Sequence, residues 1–264
     1  MKKPLKDMAR AQMQEVEPEK PRLIRPFLLD DNEFGRELTE KCAERFYKSA
    51  GVKEVIEMEP GYMNMFRRLA LTTTIYYDSQ LRSADLWPVT PSQSEVLLQI
   101  GLLPQPQNYW ESLALVLYRR CRFDNTKESR EITENIKQYR SHLGLNESDL
   151  EKSLFIVNAG LETDSNMKYG VKPVVLPGLT QIYVPPAINS DDITEECRWT
   201  FNYADEIGMP LHPNSKGKRE LRLASSPGLN CLRRLKDLNL VIDCDLQGLL
   251  AGQEGGITFH IREE

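Results

Sequence analysis

The stretch LNLVIDCDLQG, from Leu238 to Gly248, alternates between apolar and polar residues over most of its length. Successive side chains of a β-strand point to opposite faces of a sheet, so residues two apart share a face. The apolar residues on one side are Leu240, Ile242, Cys244 and Leu246. The opposite side carries Asp243 and Asp245. The pattern therefore predicts a strand that packs one face on a core and holds two carboxylates on the other.

The sequence on both sides of this stretch contains more strand patterns. The runs that predict strands are LFIVN (154–158), PVVL (173–176), TQIYV (180–184), RELRLAS (219–225) and ITFHI (257–261). Glycine and proline separate several of these runs, as they commonly separate strands. Two segments differ: residues 229–235 predict a short helix, and the caps around residues 190–208 favour a helix over a strand. The C-terminal half is therefore predicted to be richer in strand.

The N-terminal half shows helical spacing instead. The apolar residues that recur every fourth position are Phe34, Leu38, Cys42 and Phe46. Such spacing places them on one face of a helix. Residues 108–121 (NYWESLALVLYRRC) are apolar on most sides, which predicts a central, buried helix. LTTTIYY (71–77) fits a helix or a strand.

Helix-capping patterns locate two more helices in this half. Thr90 and Pro91 begin a short predicted helix that runs to Gln99, and Asn125 begins a charged one that ends at Gly144. Together these patterns predict an α+β fold, with a mainly helical N-terminal half packed with a strand-richer C-terminal half.

The predicted domain organisation is simple. Residues 1–22 form a charged N-terminal arm that ends in the proline-containing EPEKPR, and residues 23–264 form a single globular domain. A possible subdomain boundary lies near residues 145–150, where a Gly-containing turn separates the mainly helical half from the strand-richer half.

Composition excludes several classes of protein. No apolar run approaches the roughly 20 residues of a membrane helix, and the N-terminus lacks the apolar core of a secretion signal. The five cysteines are widely spaced, without C-x-x-C, which predicts reduced thiols in a cytoplasmic protein. Motifs for phosphate loops, dinucleotide binding, zinc proteolysis and hydrolase nucleophile elbows are absent from the sequence.

One carboxylate cluster could carry chemistry. Asp243 and Asp245 would lie about 7 Å apart on one strand face. Glu220 of RELRLAS would join them if its strand were a neighbour of LNLVIDC. Three such carboxylates could bind Mg²⁺ or Mn²⁺ and activate water against a phosphodiester. A metal-dependent phosphodiester hydrolase with these three residues is therefore the alternative hypothesis for function.

The leading hypothesis is a non-catalytic, intracellular protein that binds other macromolecules and uses no cofactor. It would serve as a component of a larger assembly, with its N-terminal arm docked on a protein partner or on another copy of the chain. The net charge of −5 argues against a broad nucleic-acid surface. Nucleic acid stays a possible partner because basic clusters occur at residues 67–68, 119–122, 216–219 and 233–236. No membrane interaction is expected.

Overall fold

The computed structural model describes residues 27–28, 33–46, 65–83, 86–104, 109–119, 127–167, 169–190, 198–212, 214–223, 228–235, 237–243, 255–256 and 258–261. The predicted N-terminal arm and Asp245 lie outside these ranges.

The α-helices of the described residues lie between residues 33 and 139. They are α1 (Glu33–Phe46), α2 (Met65–Tyr77), α3 (Ser79–Ser83), α4 (Pro91–Gln99) and α5 (Lys127–Tyr139). The four apolar residues spaced along α1 are buried, as predicted. The capping prediction for α4 is also confirmed, because the Thr90 hydroxyl accepts a hydrogen bond from the Gln93 N–H while the Gln93 side chain accepts one from the Thr90 N–H. No described helix is both long and apolar enough to cross a membrane.

The segment LTTTIYY continues α2 as helix although it is rich in β-branched residues. Thr72, Thr73 and Thr74 are buried, and each hydroxyl donates a hydrogen bond to the carbonyl four residues earlier, at 2.8–3.0 Å. These bonds satisfy the hydroxyls inside the core. The helix can therefore bury its threonines against the sheet.

Most strands belong to one central sheet. The strands are β1 (Phe27–Leu28), β2 (Leu86–Pro88), β3 (Tyr109–Tyr118), β4 (Leu154–Val157), β5 (Gly160–Thr163), β6 (Val171–Val174), β7 (Gln181–Tyr183), β8 (Arg198–Phe201), β9 (Arg219–Arg222), β10 (Gly228–Leu235), β11 (Leu240–Asp243), β12 (Gly255–Gly256) and β13 (Thr258–Ile261). The central sheet has the order β7-β4-β3-β10-β11-β9-β8, and β12 pairs with β3 as well. Its pairs are antiparallel except β11 with β9 and β12 with β3. Smaller sheets join β1-β13-β2 and β5-β6.

The central sheet carries a hydrophobic core on each face. On one face, Leu115 and Leu117 of β3 pack with α1, α2 and α5. We call this the helix-side core. On the other face, Ala114 and Val116 of β3 pack with residues of β8, β9 and β11. We call this the far-side core. The middle of the sheet is therefore covered on both sides.

This arrangement overturns three helix predictions. Residues 109–118 form strand β3, residues 228–235 form strand β10, and residues 198–201 form strand β8. A strand with both faces buried, such as β3, is apolar on both sides, so its sequence resembles that of a buried helix. Strand β8 is different, because Trp199 and Phe201 are buried while Arg198 is exposed. Its sequence alternates as a strand does, and the helix prediction there followed the caps instead. Every residue of β10 from Gly228 to Arg234 is buried, which explains why no period of two is visible there.

The α+β prediction is confirmed, with helices mostly in the N-terminal half and sheet strands mostly in the C-terminal half. The boundary near residues 145–150 stays a prediction. Strands on its two sides, β3 and β4, pair in one sheet. A short 3-10 helix (Glu147–Glu151) begins at a capping box on Asn146.

Candidate functional site

Two of the three predicted metal ligands, Glu220 and Asp243, belong to neighbouring strands. β9 and β11 pair in parallel, as the alternative hypothesis requires, with Leu221 opposite Leu240 and Arg222 opposite Val241. In this register Glu220 lies four positions before Asp243 along the sheet. Four residues of strand span about 13 Å, far more than the distance between two ligands of one metal ion. Asp245 lies beyond the described residues.

Glu220 also has a cationic partner of its own. Its carboxylate accepts a hydrogen bond from the Arg222 Nε at 3.1 Å, and both side chains are partly exposed. An adjacent guanidinium opposes the binding of a divalent cation. Within the described part of the chain, no group of three His, Cys, Asp or Glu side chains is placed to hold a metal ion. The metal site therefore stays a prediction that depends on residues 244–254.

Several arginines of the predicted basic clusters are buried. Arg67 and Arg68 of α2 are 0% and 1% exposed, and Arg219, Arg233 and Arg234 are also buried. A buried arginine cannot contact nucleic-acid phosphates. The basic clusters therefore contribute less positive charge to the surface than their sequence indicates.

Glu95 of α4 forms ion pairs with two of these buried arginines. Arg219 of β9 donates two hydrogen bonds to its carboxylate, at 2.7 and 2.9 Å, and Arg234 of β10 donates a third. The Arg219 Nε also donates to the Leu238 carbonyl at 2.8 Å. Charge-assisted bonds of this kind are strong and directional. They hold α4 on the central sheet.

The N-terminus of α4 forms one wall of a polar cleft of about 460 Å³. We call it the α4 cleft. Its lining residues are Trp87, Pro88, Thr90, Pro91, Ser92, Gln93, Val157, Asn158, Gly178, Leu179, Gln181, Tyr183, Glu206 and Ile207. They come from four separate segments: β2 with α4, the end of β4, the 178–183 segment that includes β7, and the 206–207 loop. The volume lies in the usual range for ligand sites in proteins.

Gly208 brings the 206–207 loop against α4. Its φ is +84°, and a Cβ added there would lie 2.5 Å from the Pro91 carbonyl carbon. Side chains strongly disfavour such a φ, and the short distance leaves no room for one. Glycine is therefore required for this wall of the α4 cleft.

Asn158 is held at the end of β4 in a left-handed conformation, with a φ of 57°. The Thr180 hydroxyl donates a hydrogen bond to its carbonyl at 2.9 Å, which ties it to the 178–183 segment. Asparagine adopts this conformation more readily than most residues. Asn158 is thereby held in the lining of the α4 cleft, and non-glycine residues with a left-handed backbone are often found at functional sites.

The charge in the α4 cleft is negative. Glu206 is the charged residue among its lining residues, and Asp205 precedes it. Burial raises the pKa of Asp205 and the negative charge of Glu206 adds to this, although the Ile207 and Met209 N–H groups donate to the Asp205 carboxylate at 2.9 and 3.0 Å. Burial, followed by the charges of Glu206 and Asp205, also raises the pKa of Tyr183.

The lining of the α4 cleft offers several kinds of group that can contact a ligand. Trp87 and Tyr183 offer aromatic surfaces, and the remaining lining residues offer mostly amides, hydroxyls and small apolar groups. The Tyr183 hydroxyl donates to the Gln181 side chain at 2.9 Å. No Ser, Thr or Cys of this lining is paired with a His, which is the usual arrangement of an activated nucleophile. Of the features that form the cleft, only the α4 cap had a local sequence signal. The cleft itself could not be predicted, because its four segments meet only in the folded chain.

The described fold and cleft define an α+β protein with a two-sided central sheet and a polar, acidic cleft at one end of a helix. Comparison with family models, curated proteins and solved structures finds no match to this chain.

Proposed function

We propose that this chain is a non-catalytic, cytoplasmic protein that binds another macromolecule through the α4 cleft. The lining of the cleft carries this proposal, because it contains two aromatic rings, several uncharged hydrogen-bonding groups and one carboxylate. Aromatic and hydrogen-bonding groups of this kind give both affinity and orientation to a bound molecule. The N-terminal arm (1–22) would add a second contact with the same assembly.

The described thiols agree with a reducing compartment. Cys42 is a buried free thiol, and Cys231 is also buried. Free buried cysteines are typical of proteins that fold where thiols stay reduced.

A photo-crosslinking experiment tests the proposal. A benzophenone amino acid replaces Gln181, an exposed residue of β7 at the α4 cleft. The control carries it at Glu134, whose side chain is 66% exposed on α5. In an extract of the source cells, we expect one discrete crosslinked partner from position 181 and none from position 134. The purified partner should then bind the wild-type chain and lose affinity for a cleft variant. Equal crosslinking at both positions, or none at 181, would contradict the proposal.

The alternative is a metal-dependent phosphodiester hydrolase that uses Glu220, Asp243 and Asp245 with Mg²⁺ or Mn²⁺. The adjacency of β9 and β11 is the observation in its favour. It predicts that millimolar Mn²⁺ raises the melting temperature of the wild type and that Asp243→Ala removes the increase. Under the binding hypothesis, Mn²⁺ leaves the melting temperature of both proteins unchanged.

A further inference from the structure

We infer that the α4 cleft receives an arginine side chain from a basic segment of a protein partner. This inference rests on the proposed function, because it names the chemistry of the partner at the same site. It is carried by the charge, the aromatic surfaces and the hydrogen-bonding groups of the cleft.

The charge of the α4 cleft is complementary to a cation. No Lys or Arg is among its lining residues, and Glu206 and Asp205 form no ion pair with the described part of the chain. Two consecutive carboxylates repel each other, and partial burial of Asp205 strengthens the effect. A bound cation would offset this repulsion, whereas an anionic ligand would increase it.

The aromatic residues favour a flat cation. Trp87 and Tyr183 both line the cleft. A guanidinium group stacks on aromatic faces and is desolvated more easily than an ammonium group. The molecule already contains this contact, because the Arg45 guanidinium lies 4.3 Å from the centre of the Tyr77 ring and that of Arg219 lies 4.6 Å from the centre of the Phe201 ring.

The lining of the cleft contains acceptors for the N–H donors of a guanidinium. The Glu206 carboxylate and the Asn158 amide oxygen are acceptors on different segments of the lining. No hydrogen bond joins the Asn158 amide to another described residue. A bound arginine would therefore be oriented by acceptors from two sides. This selects arginine over lysine, whose single ammonium group cannot span them in a planar fork.

The test uses small probes and nuclear magnetic resonance of the ¹⁵N-labelled full chain. The probes are N-acetyl-arginine N-methylamide, its lysine analogue and its neutral citrulline analogue. We expect the arginine probe to shift the Trp87 indole N–H and the Asn158 side-chain amide signals at millimolar concentration. The citrulline probe should bind about tenfold more weakly, because it keeps the shape of arginine but loses the charge. Equal shifts from the arginine and citrulline probes, or a lysine probe that binds as tightly as the arginine probe, would overturn the inference.

Two variants test the assigned acceptors. Glu206→Gln keeps the size of the side chain and should weaken the arginine probe about fivefold to tenfold, whereas Glu134→Gln on α5 should leave its affinity unchanged. Asn158→Gly suits the left-handed backbone and removes the amide, so it should weaken binding without loss of fold. If Glu206→Gln binds the arginine probe like the wild type, the inference is wrong.

Failure of the inference and failure of the proposed function can be told apart. A partner crosslinked from Gln181 together with no response to the arginine probe would keep the macromolecule-binding function and remove the arginine. No crosslinked partner at all would contradict the proposed function itself.

Discussion

At the scale of single residues, Glu95, Arg219 and Arg234 form a buried charged group between α4 and the central sheet. The carboxylate is 3% exposed and neutralises only one of two buried guanidinium groups. The Arg234 Nε and Nη1 make no hydrogen bond with described residues, so this arginine already lacks acceptors. Burial lowers the pKa of Arg234, and the charge of Arg219 acts in the same direction. The group is therefore sensitive to any loss of negative charge.

We expect Glu95→Gln to destabilise the protein by about 3–5 kcal/mol, because it leaves two buried cations without a counter-ion. Glu134→Gln, which breaks an exposed ion pair with Lys137, should cost at most about 1 kcal/mol. Urea unfolding of both variants measures the difference. Similar losses for the two variants would show that the buried group is not structurally important.

Cys42 makes the stability of the protein dependent on pH. Burial raises the pKa of its thiol from 9.0 to about 12. Above pH 9 the unfolded chain loses the thiol proton while the folded chain keeps it, so the folded state binds more protons and stability falls as pH rises.

Between about pH 8 and about pH 10.5, the unfolding free energy of the wild type should therefore fall by about 2 kcal/mol relative to that of Cys42→Ala. Urea unfolding of both proteins at the two pH values measures it. The subtraction removes the titration of other groups. A constant difference over this range would show that Cys42 is accessible or ionised in the folded state.

At the scale of elements, local signals were sufficient for α1, α4, β4, β9 and β11. Capping pairs, fourfold spacing and period-two alternation each depend on residues within one turn or one strand. They were insufficient for β3 and β10, because burial on two faces removes the alternation that marks a strand and their 10 and 8 residues are long enough to match a helix. β4 is also buried throughout, but its 4 residues are too few for a helix. A β-bulge also interrupts the pairing of β10 with β3 between Cys231 and Arg233, where the Ser112 hydroxyl donates to the Leu232 carbonyl. Such an irregularity has no local sequence signal.

The contact between Gly208 and α4 can be tested with a matched glycine. Gly144 has a similar φ of +70°, but a Cβ added there would have no atom within 4 Å, so Gly144→Ala should cost about 1 kcal/mol from backbone strain alone. Gly208→Ala adds a clash with Pro91 and should cost at least about 2 kcal/mol. Thermal unfolding compares the two variants. The Trp87 and Asn158 signals should shift only in Gly208→Ala, and equal effects would exclude the close contact.

At the scale of the whole molecule, the stability of the described fold comes from two cores that share one sheet. Leu115 and Val116 are consecutive residues of β3, yet Leu115 belongs to the helix-side core and Val116 to the far-side core. Each is at most 1% exposed. Both faces of the sheet are therefore buried at its centre.

Leu115→Ala and Val116→Ala should each destabilise the protein by about 2 kcal/mol or more, because each leaves a cavity in a different core. Val96→Ala on the exposed side of α4, where the side chain is 54% exposed, should change stability by less than about 0.5 kcal/mol. Chemical unfolding measures all three. A large effect from only one of the two β3 variants would mean that one face of the strand is not covered.

The carboxylates of LNLVIDCDLQG show the limit of sequence-based prediction for the site. The strand and its buried Leu240 and Ile242 agree with the pattern. Its pairing with β9 meets a condition on which the carboxylate cluster depended. The register of that pairing does not follow from either strand alone, and it places Glu220 four positions from Asp243. Register depends on backbone hydrogen bonds across the sheet and on the fit of the far-side core.

The sequence by itself determined the α+β class, the capped helix α4, the alternating strand β11 and the mildly acidic charge. Only the tertiary structure decided that residues 109–118 and 228–235 are central strands, and that four distant segments form the α4 cleft. The physical reason is the sequence separation over which each interaction acts. Propensity, capping and periodicity act within a few residues. Burial of both faces of a strand depends on segments far apart in the sequence, and the hydrogen bond from Arg219 to Glu95 joins residues 124 positions apart.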